Sequence, residues 1–211
     1  MGHTTENKQL KTFQVAFYGS VEGKQKRIQV KGTEKELYQV AKLVMPNDIS
    51  SVVIGDWDKE TIRLDFDNTP LREVKLWAYR AYHWFKLDGF IILRSSMKEY
   101  VVKEKKRVIY RCLKGNYLVI FNRVVNWNTN VKVMNWVGLE SGNPNLKKYV
   151  TMQCIKKTST VRISYKGDKK PPKVIFRFGN QDKQIKQFLE TRKITLNIIK
   201  QQKKRIEKGD D

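Results

Sequence analysis

Cysteine and histidine are nearly missing from this chain: Cys112, Cys154, His3 and His83 are all it has. The two cysteines stand far apart, so they make neither a zinc-ligand pair nor a disulfide framework. Two histidines cannot furnish a His-rich metal site, and the paired histidines of a rolling-circle nickase are absent. His83 falls in an aromatic helical stretch with no Cys or Ser partner nearby, and it reads as a residue at a core edge rather than a general base. A Ser-His-Asp enzyme would need His83 and also a nucleophile elbow, which is not there. No GxxxxGK[ST] loop occurs, and residues 138–142 lack the lysine, which removes P-loop hydrolysis. No apolar run approaches the roughly 20 residues needed to cross a bilayer. Residues 1–11 lack the apolar core of a signal peptide. The expectation is a cytoplasmic or otherwise intracellular protein, not a secreted one.

Acid is the scarce charge. Lys and Arg number 43 against 21 Asp and Glu, a formal net charge of +22. A surplus of that size repels itself unless a polyanion balances it. The excess is regional: residues 1–100 hold 16 basic and 13 acidic side chains, whereas residues 101–211 hold 27 and 8. Disorder is a poor explanation, because 40% of residues are hydrophobic and 11% aromatic, enough for a packed core. A membrane-surface role would want a basic amphipathic helix with a bare apolar face, and none stands out. Nucleic acid is the expected partner.

What is present reads as an α+β chain. Residues 12–18 and 27–30 form a hairpin around a turn at 19–23. Thr33 with Glu36 has the spacing of a capping box and opens a helix to about residue 44, stopped at 46–48. Residues 51–55 and 61–66 are strands about an acidic turn at 56–60. Pro70 suits a first helical position, and apolar residues spaced three and four apart predict a helix over 70–87. Residues 90–93 read as a short strand with 99–102 as its hairpin partner, followed by strands at 108–112 and 117–125. The stretch 126–145, rich in Asn, Trp and Gly, gives no clear signal. A helix over 146–157, strands at 161–165 and 173–178 about a basic turn, and a helix over 181–200 complete the chain, with 201–211 as a fraying tail. The expected organisation is an N-terminal hairpin and helix (1–48), a core with a basic second half (49–180), and a C-terminal helix and tail (181–211).

The sharpest chemical signal is Leu64-Asp65-Phe66-Asp67. In a strand the two carboxylates project from one face, as a divalent-metal site for phosphoryl transfer requires; alternatively they end a strand and begin an Asx-turn. Downstream lie Arg94-Ser95-Ser96 and the basic strand Thr160-Val161-Arg162-Ile163-Ser164-Tyr165. This order, over residues 50–180, resembles the catalytic core of the archaeo-eukaryotic primase (primase-polymerase) superfamily. The resemblance implies a modified RRM-like, mixed or antiparallel sheet with flanking helices. It implies Asp65 and Asp67 as catalytic ligands of Mg²⁺ or Mn²⁺, with Arg94, Ser95 and Ser96 facing nucleotide phosphates. Lys156, Lys157, Arg162 and Lys166 match its basic stretch. Two features depart from it: the family histidine falls near Tyr100 or Val101, and the third acid near Thr151. Glu140 and Asp168 are the spatial substitutes to look for.

From the residues themselves, Tyr165, Lys166, Lys169 and Lys170 form a polar turn able to offer a stacking ring and phosphate contacts. Most other rings of the basic half read as core. Lys103, Lys105, Lys106 and Arg107 are a second candidate phosphate contact. The functional expectation is a replication or repair protein binding single-stranded DNA or a primer-template, DNA rather than RNA, alongside other replication proteins. Its chemistry would be metal-dependent nucleotidyl transfer. The alternatives are a non-catalytic binding module of a replication or ribonucleoprotein machine, and a metal-dependent nuclease using the same aspartates.

Overall fold

A computed structural model describes residues 11–21, 24–44, 51–55, 58–104, 107–166 and 169–209. The turn at 19–23, the helix stop at 46–48, Lys105, Lys106 and Asp168 lie wholly or partly outside them, as do the side chains of 98–112.

The elements are β1 (Phe13–Val21), β2 (Lys24–Gly32), α1 (Glu34–Val44), β3 (Ser51–Ile54), β4 (Thr61–Pro70), α2 (Leu71–Phe85), β5 (Gly89–Glu104), β6 (Arg107–Val124), α3 (Trp127–Glu140), α4 (Pro144–Lys156), β7 (Val161–Arg162), β8 (Lys173–Gly179) and α5 (Gln184–Lys208). They make a mixed α+β fold with two antiparallel sheets, ordered β2-β1-β3-β7 and β4-β6-β5-β8. Among the described residues no helix is long and apolar enough to cross a membrane.

The second sheet is the middle layer. Its residues alternate between two cores, so β5 reads as a continuous apolar run because both its faces are covered. Ile91, Leu93, Leu118 and Ile120 pack with Phe17, Val52, Leu37, Phe188 and Ile198 of the first sheet, α1 and α5. Phe90, Ile92, Val119 and Phe121 pack with Val74, Ala78, Val133, Val137 and Leu146 of α2, α3 and α4. The first sheet draws β1 and β2 from the N-terminal hairpin and β3 and β7 from the later chain.

Local chemistry explains several boundaries. Thr33 and Glu36 close the expected capping box: the Thr33 N–H and hydroxyl both donate to the Glu36 carboxylate, at 2.7 and 2.9 Å, and the Glu36 N–H returns to Thr33 Oγ1. Pro70 stands just before α2 as its N-cap rather than as its first residue. The stretch without a clear signal is helix α3, and its asparagines explain both the helix and the difficulty. Asn126 Oδ1 caps the helix by accepting from Thr129 N–H at 2.8 Å. Buried Asn130 donates to the carbonyls of Lys59 and Thr61, tying α3 to β4. At the opposite side Asn122 Oδ1 accepts from the N–H groups of Lys183 and Ile185, satisfying the start of α5 from another element.

Three expectations are corrected. Residues 90–93 and 99–102 are one 16-residue strand, and 108–112 and 117–125 belong to one 18-residue partner. Pairing runs on through the polar residues that look like turns, from Phe90↔Phe121 to Glu104↔Arg107. The strand expected over 161–165 covers only Val161–Arg162; Ser164 instead turns its hydroxyl to accept from Val52 N–H. The tail from 201 is helical to Lys208, because Gln202 is buried and continues the packed stripe of α5.

A cleft and a cationic groove at the open end of β4

Two bulges shape the open end of the middle sheet. Strand β4 shifts register between Phe66 and Thr69, so that Asp67 and Asn68 stand opposite Asn116 of β6. Asn68 takes a left-handed conformation (φ 53°) that asparagine tolerates, and its N–H donates to Asn116 Oδ1 at 2.9 Å. On the other side of β6, strand β5 shifts between Arg94 and Ser96, and Ser95 Oγ donates to the Asn116 carbonyl at 3.3 Å. Bulges of this kind re-aim side chains at sheet ends. Gly115 makes the approach possible, since a Cβ there would lie 2.7 Å from the Ser96 carbonyl oxygen.

The result is a cleft of about 520 Å³ lined by Asp67, Asn68, Ser96, Lys114, Asn116, Asn145 and Lys169. Asn145 belongs to the first turn of α4 and donates to the Asp67 carbonyl at 3.4 Å, so the positive end of that helix faces the cleft. A groove next to it is lined by Arg94, Ser95, Ser96, Met97, Lys170, Lys173, Arg192 and Leu196. Four cations and no carboxylate line this groove. Arg192 donates to the Pro172 carbonyl at 2.6 Å, and burial pulls its pKa below the ordinary arginine value. Its buried Nε has no hydrogen-bond partner.

Asp65 lies deeper on the same strand. It pairs with Leu118, whose face of the sheet meets the first sheet. Burial, then the charge of Asp67, pushes its pKa up to about 7, against the opposing pull of Arg162. Arg162 is half-buried and donates to the carbonyls of Ser164 and Lys170. Burial lowers its pKa, and Asp65 acts the other way. Tyr149 nearby is pushed up, first by burial and then by Asp65. Neither aspartate side chain caps α2, whose N-cap is Pro70 without a side-chain bond.

The fold therefore gathers Asp67, Ser96 and Lys169 in one cleft, and Arg94, Ser95, Ser96 and Lys170 in the adjoining groove. Asp65 and Arg162 sit behind them. Lys156 and Lys157 end α4, exposed and outside both cavities. Lys166 bridges to Lys169 in a small turn. Tyr165 is 38% exposed, but the Lys203 ammonium lies 4.5 Å over its ring, so one stacking face already has an occupant. His83 is exposed on α2 beside Tyr82, as its place at a core edge suggests.

The two departures from the primase pattern also find their places. Tyr100 and Val101 pair with Cys112 and Arg111, several residues beyond Ser96, and the side chain opposite Ser96 is Asn116. Thr151 is exposed on α4 and donates to the Lys147 carbonyl, so that position is a solvent-facing helical one. Glu140 is exposed at the end of α3. Among the described residues no third His, Cys, Asp or Glu joins the aspartate pair. Asn116, Lys114 and Asn145 in the cleft, and Lys173 and Arg192 in the groove, were not singled out by sequence. Only Gly115 signalled its neighbours, since a glycine inside a strand marks a bulge or a close approach. No protein-family model, curated protein or solved structure matches the chain.

Proposed function

We propose that this chain is a nucleic-acid-binding protein of replication or repair, with a primase-polymerase-like core that grips single-stranded DNA or a primer-template. One observation carries the reading: Ser96 lines both the Asp67 cleft and the four-cation groove, which puts an acidic group and a phosphate-binding surface side by side. The run β4-α2-β5-β6, with β6 between β4 and β5, supports an RRM-like lobe, and β8 joins it beyond β5.

In this reading Arg94, Lys170, Lys173 and Arg192 hold phosphates, while Ser95 and Ser96 add hydroxyl and backbone donors. Lys169, across the cleft from Asp67, neutralises charge on a bound nucleotide. Lys166 and the free edge of Tyr165 extend the surface, and Lys156 and Lys157 add long-range attraction. The aspartates fit a divalent cation, because burial and then the Asp67 charge raise the cost of ionising Asp65, and a cation relieves it. Asp65 and Asp67 would hold Mg²⁺ or Mn²⁺, which neutralises phosphate charge during nucleotidyl transfer. Arg162 orients Asp65 from behind.

Template, labelled nucleotides and Mg²⁺ or Mn²⁺ test the chemistry: extension that disappears in Asp65→Ala/Asp67→Ala supports it, and no extension by the wild-type chain defeats it. Binding is tested separately. Arg94→Gln/Lys173→Gln should weaken single-stranded DNA binding and reduce the salt slope by about 0.7 per lost contact. A second reading, a non-catalytic module of a larger machine, is favoured by the burial of Asp65. It expects the aspartate variants to bind as the wild type does and no extension under any condition.

A further inference from the structure

Strands β5 and β6 outrun their neighbours. The β8 pairing with β5 ends at Arg94↔Lys173, and the β4 pairing with β6 ends at Pro70↔Lys114. Beyond these points β5 and β6 pair only with each other among the described residues, from Glu99↔Leu113 to Glu104↔Arg107. Six residues of β5 at about 3.4 Å each make a two-stranded ribbon roughly 20 Å long. Its root is the cleft and groove wall, where Ser96, Met97, Lys114 and Gly115 stand. Residues 98–114 contain seven Lys or Arg and two Glu, so this stretch of sequence is as basic as the groove at its root is cationic.

We infer that this ribbon is a duplex-binding arm that enters the major groove of B-form DNA beside the cleft. The inference rests on the nucleic-acid reading above and names the duplex as part of the substrate. A two-stranded backbone ribbon, its strands about 4.8 Å apart, is of a size that a groove about 12 Å wide and 8.5 Å deep admits. The A-form major groove of an RNA duplex is too narrow for such an insertion. An isolated two-stranded ribbon is marginal in water, and a bound duplex would supply the missing stabilisation. Lys103, Arg107 and Arg111 occupy paired positions along the arm, and theirs are the charges the test removes.

The experiment compares the wild-type chain with Lys103→Gln/Arg107→Gln/Arg111→Gln by fluorescence anisotropy on three probes: a 20-nucleotide DNA strand, a 20-base-pair DNA duplex and an RNA duplex of the same length. The expected result is a loss of about tenfold or more on the DNA duplex, with a salt slope smaller by about 2.7, or 0.9 for each of three contacts. Affinity for the single strand should stay within about twofold, because the groove cations are untouched. A second variant, in which residues 101–111 are replaced by Asn-Gly so that the loop joins the pair Tyr100↔Cys112, should show the same selective loss with an unchanged melting temperature. Unchanged duplex affinity in both variants overturns the inference, and it does so decisively if the triple variant instead self-associates in light scattering, the sign of edge protection. Equal losses on the DNA and RNA duplexes overturn the groove geometry. Duplex binding through the arm by a wild-type chain that ignores the single strand upholds the arm and defeats the cleft reading.

Discussion

The two ends of β4 handle buried carboxylates in opposite ways. At the closed end, Asp58 meets Arg63 at 2.5 Å, and Arg63 also donates to the Ser159 carbonyl at 2.7 Å. Burial alone would raise the Asp58 pKa, but the Arg63 charge and the Thr61 hydroxyl and N–H hold it down to about 2. At the open end, Asp65 has burial and the Asp67 charge acting together, and its pKa goes up to about 7. The first carboxylate is fully furnished with partners. The second lies behind the cleft that Asp67 lines, with Arg162 as the charge that opposes the rise, and a strongly shifted carboxyl so placed is a candidate for a functional role.

The largest way to break the contrast is Asp58→Ala. Arg63 is only 4% exposed, and stranding it should cost about 3–5 kcal/mol in denaturant unfolding. The wild-type pair also predicts a pH window. Because the folded pKa is depressed, its stability is present above about pH 4 and lost as pH falls toward 2, which acid titration of the melting temperature will show.

Asp65→Asn should act with the opposite sign. A raised folded pKa means that stability is full below about pH 4 and falls as pH rises through 7, so the variant should be more stable than the wild type at pH 8, by on the order of 2 kcal/mol, and match it near pH 4. A thermal melt series across that range checks it. Millimolar Mn²⁺ should raise the wild-type melting temperature at pH 8 and leave that of Asp65→Asn/Asp67→Asn unmoved, since a cation that binds only the folded state stabilises it. The smallest effect is that of Asp67→Asn. The side chain is exposed, so stability should change by less than about 0.5 kcal/mol. The Asp65 carboxyl should nevertheless titrate at lower pH in NMR, because one of the two causes of its shift is gone.

Local signals announced the elements whose cause is local. The capping box at Thr33 and Glu36 and the three-four spacing of Val74, Ala78 and Ala81 sufficed for α1 and α2. Strands β5 and β6 look broken at residues 94–98 and 113–116, because polar residues and Gly115 there mimic turns. Their continuity comes from cross-strand pairing with residues 14 to 23 positions away, from Glu99↔Leu113 to Arg94↔Tyr117, which no short window contains. The same holds for the site. Asp65, Asp67 and the Arg94-Ser95-Ser96 run were visible as short patterns, whereas Asn116 and Arg192 become relevant only because a bulge or a helix brings them to the cleft. The third acid and the histidine were sought by counting along the chain. A 20 Å ribbon inserted in that count moves Tyr100 and Val101 away from Ser96.

The first sheet has a consequence for synthesis on the ribosome. Strands β1, β2 and β3 are complete by Ile54, yet among the described residues the outer edge of β3 is closed by β7 and the two residues after it, through Val53↔Arg162, Ile54↔Val161, the Ile163 N–H donating to the Val52 carbonyl and the Val52 N–H donating to the Ser164 hydroxyl. For more than a hundred residues of elongation, the nascent chain carries a finished hairpin whose third strand lacks its neighbour, an invitation to pair with other chains. Release of a chain ending at residue 160 should therefore yield aggregates in light scattering, while one ending at 209 stays dispersed. The strand that supplies Arg162 to the open end of β4 is also the strand that ends this exposure.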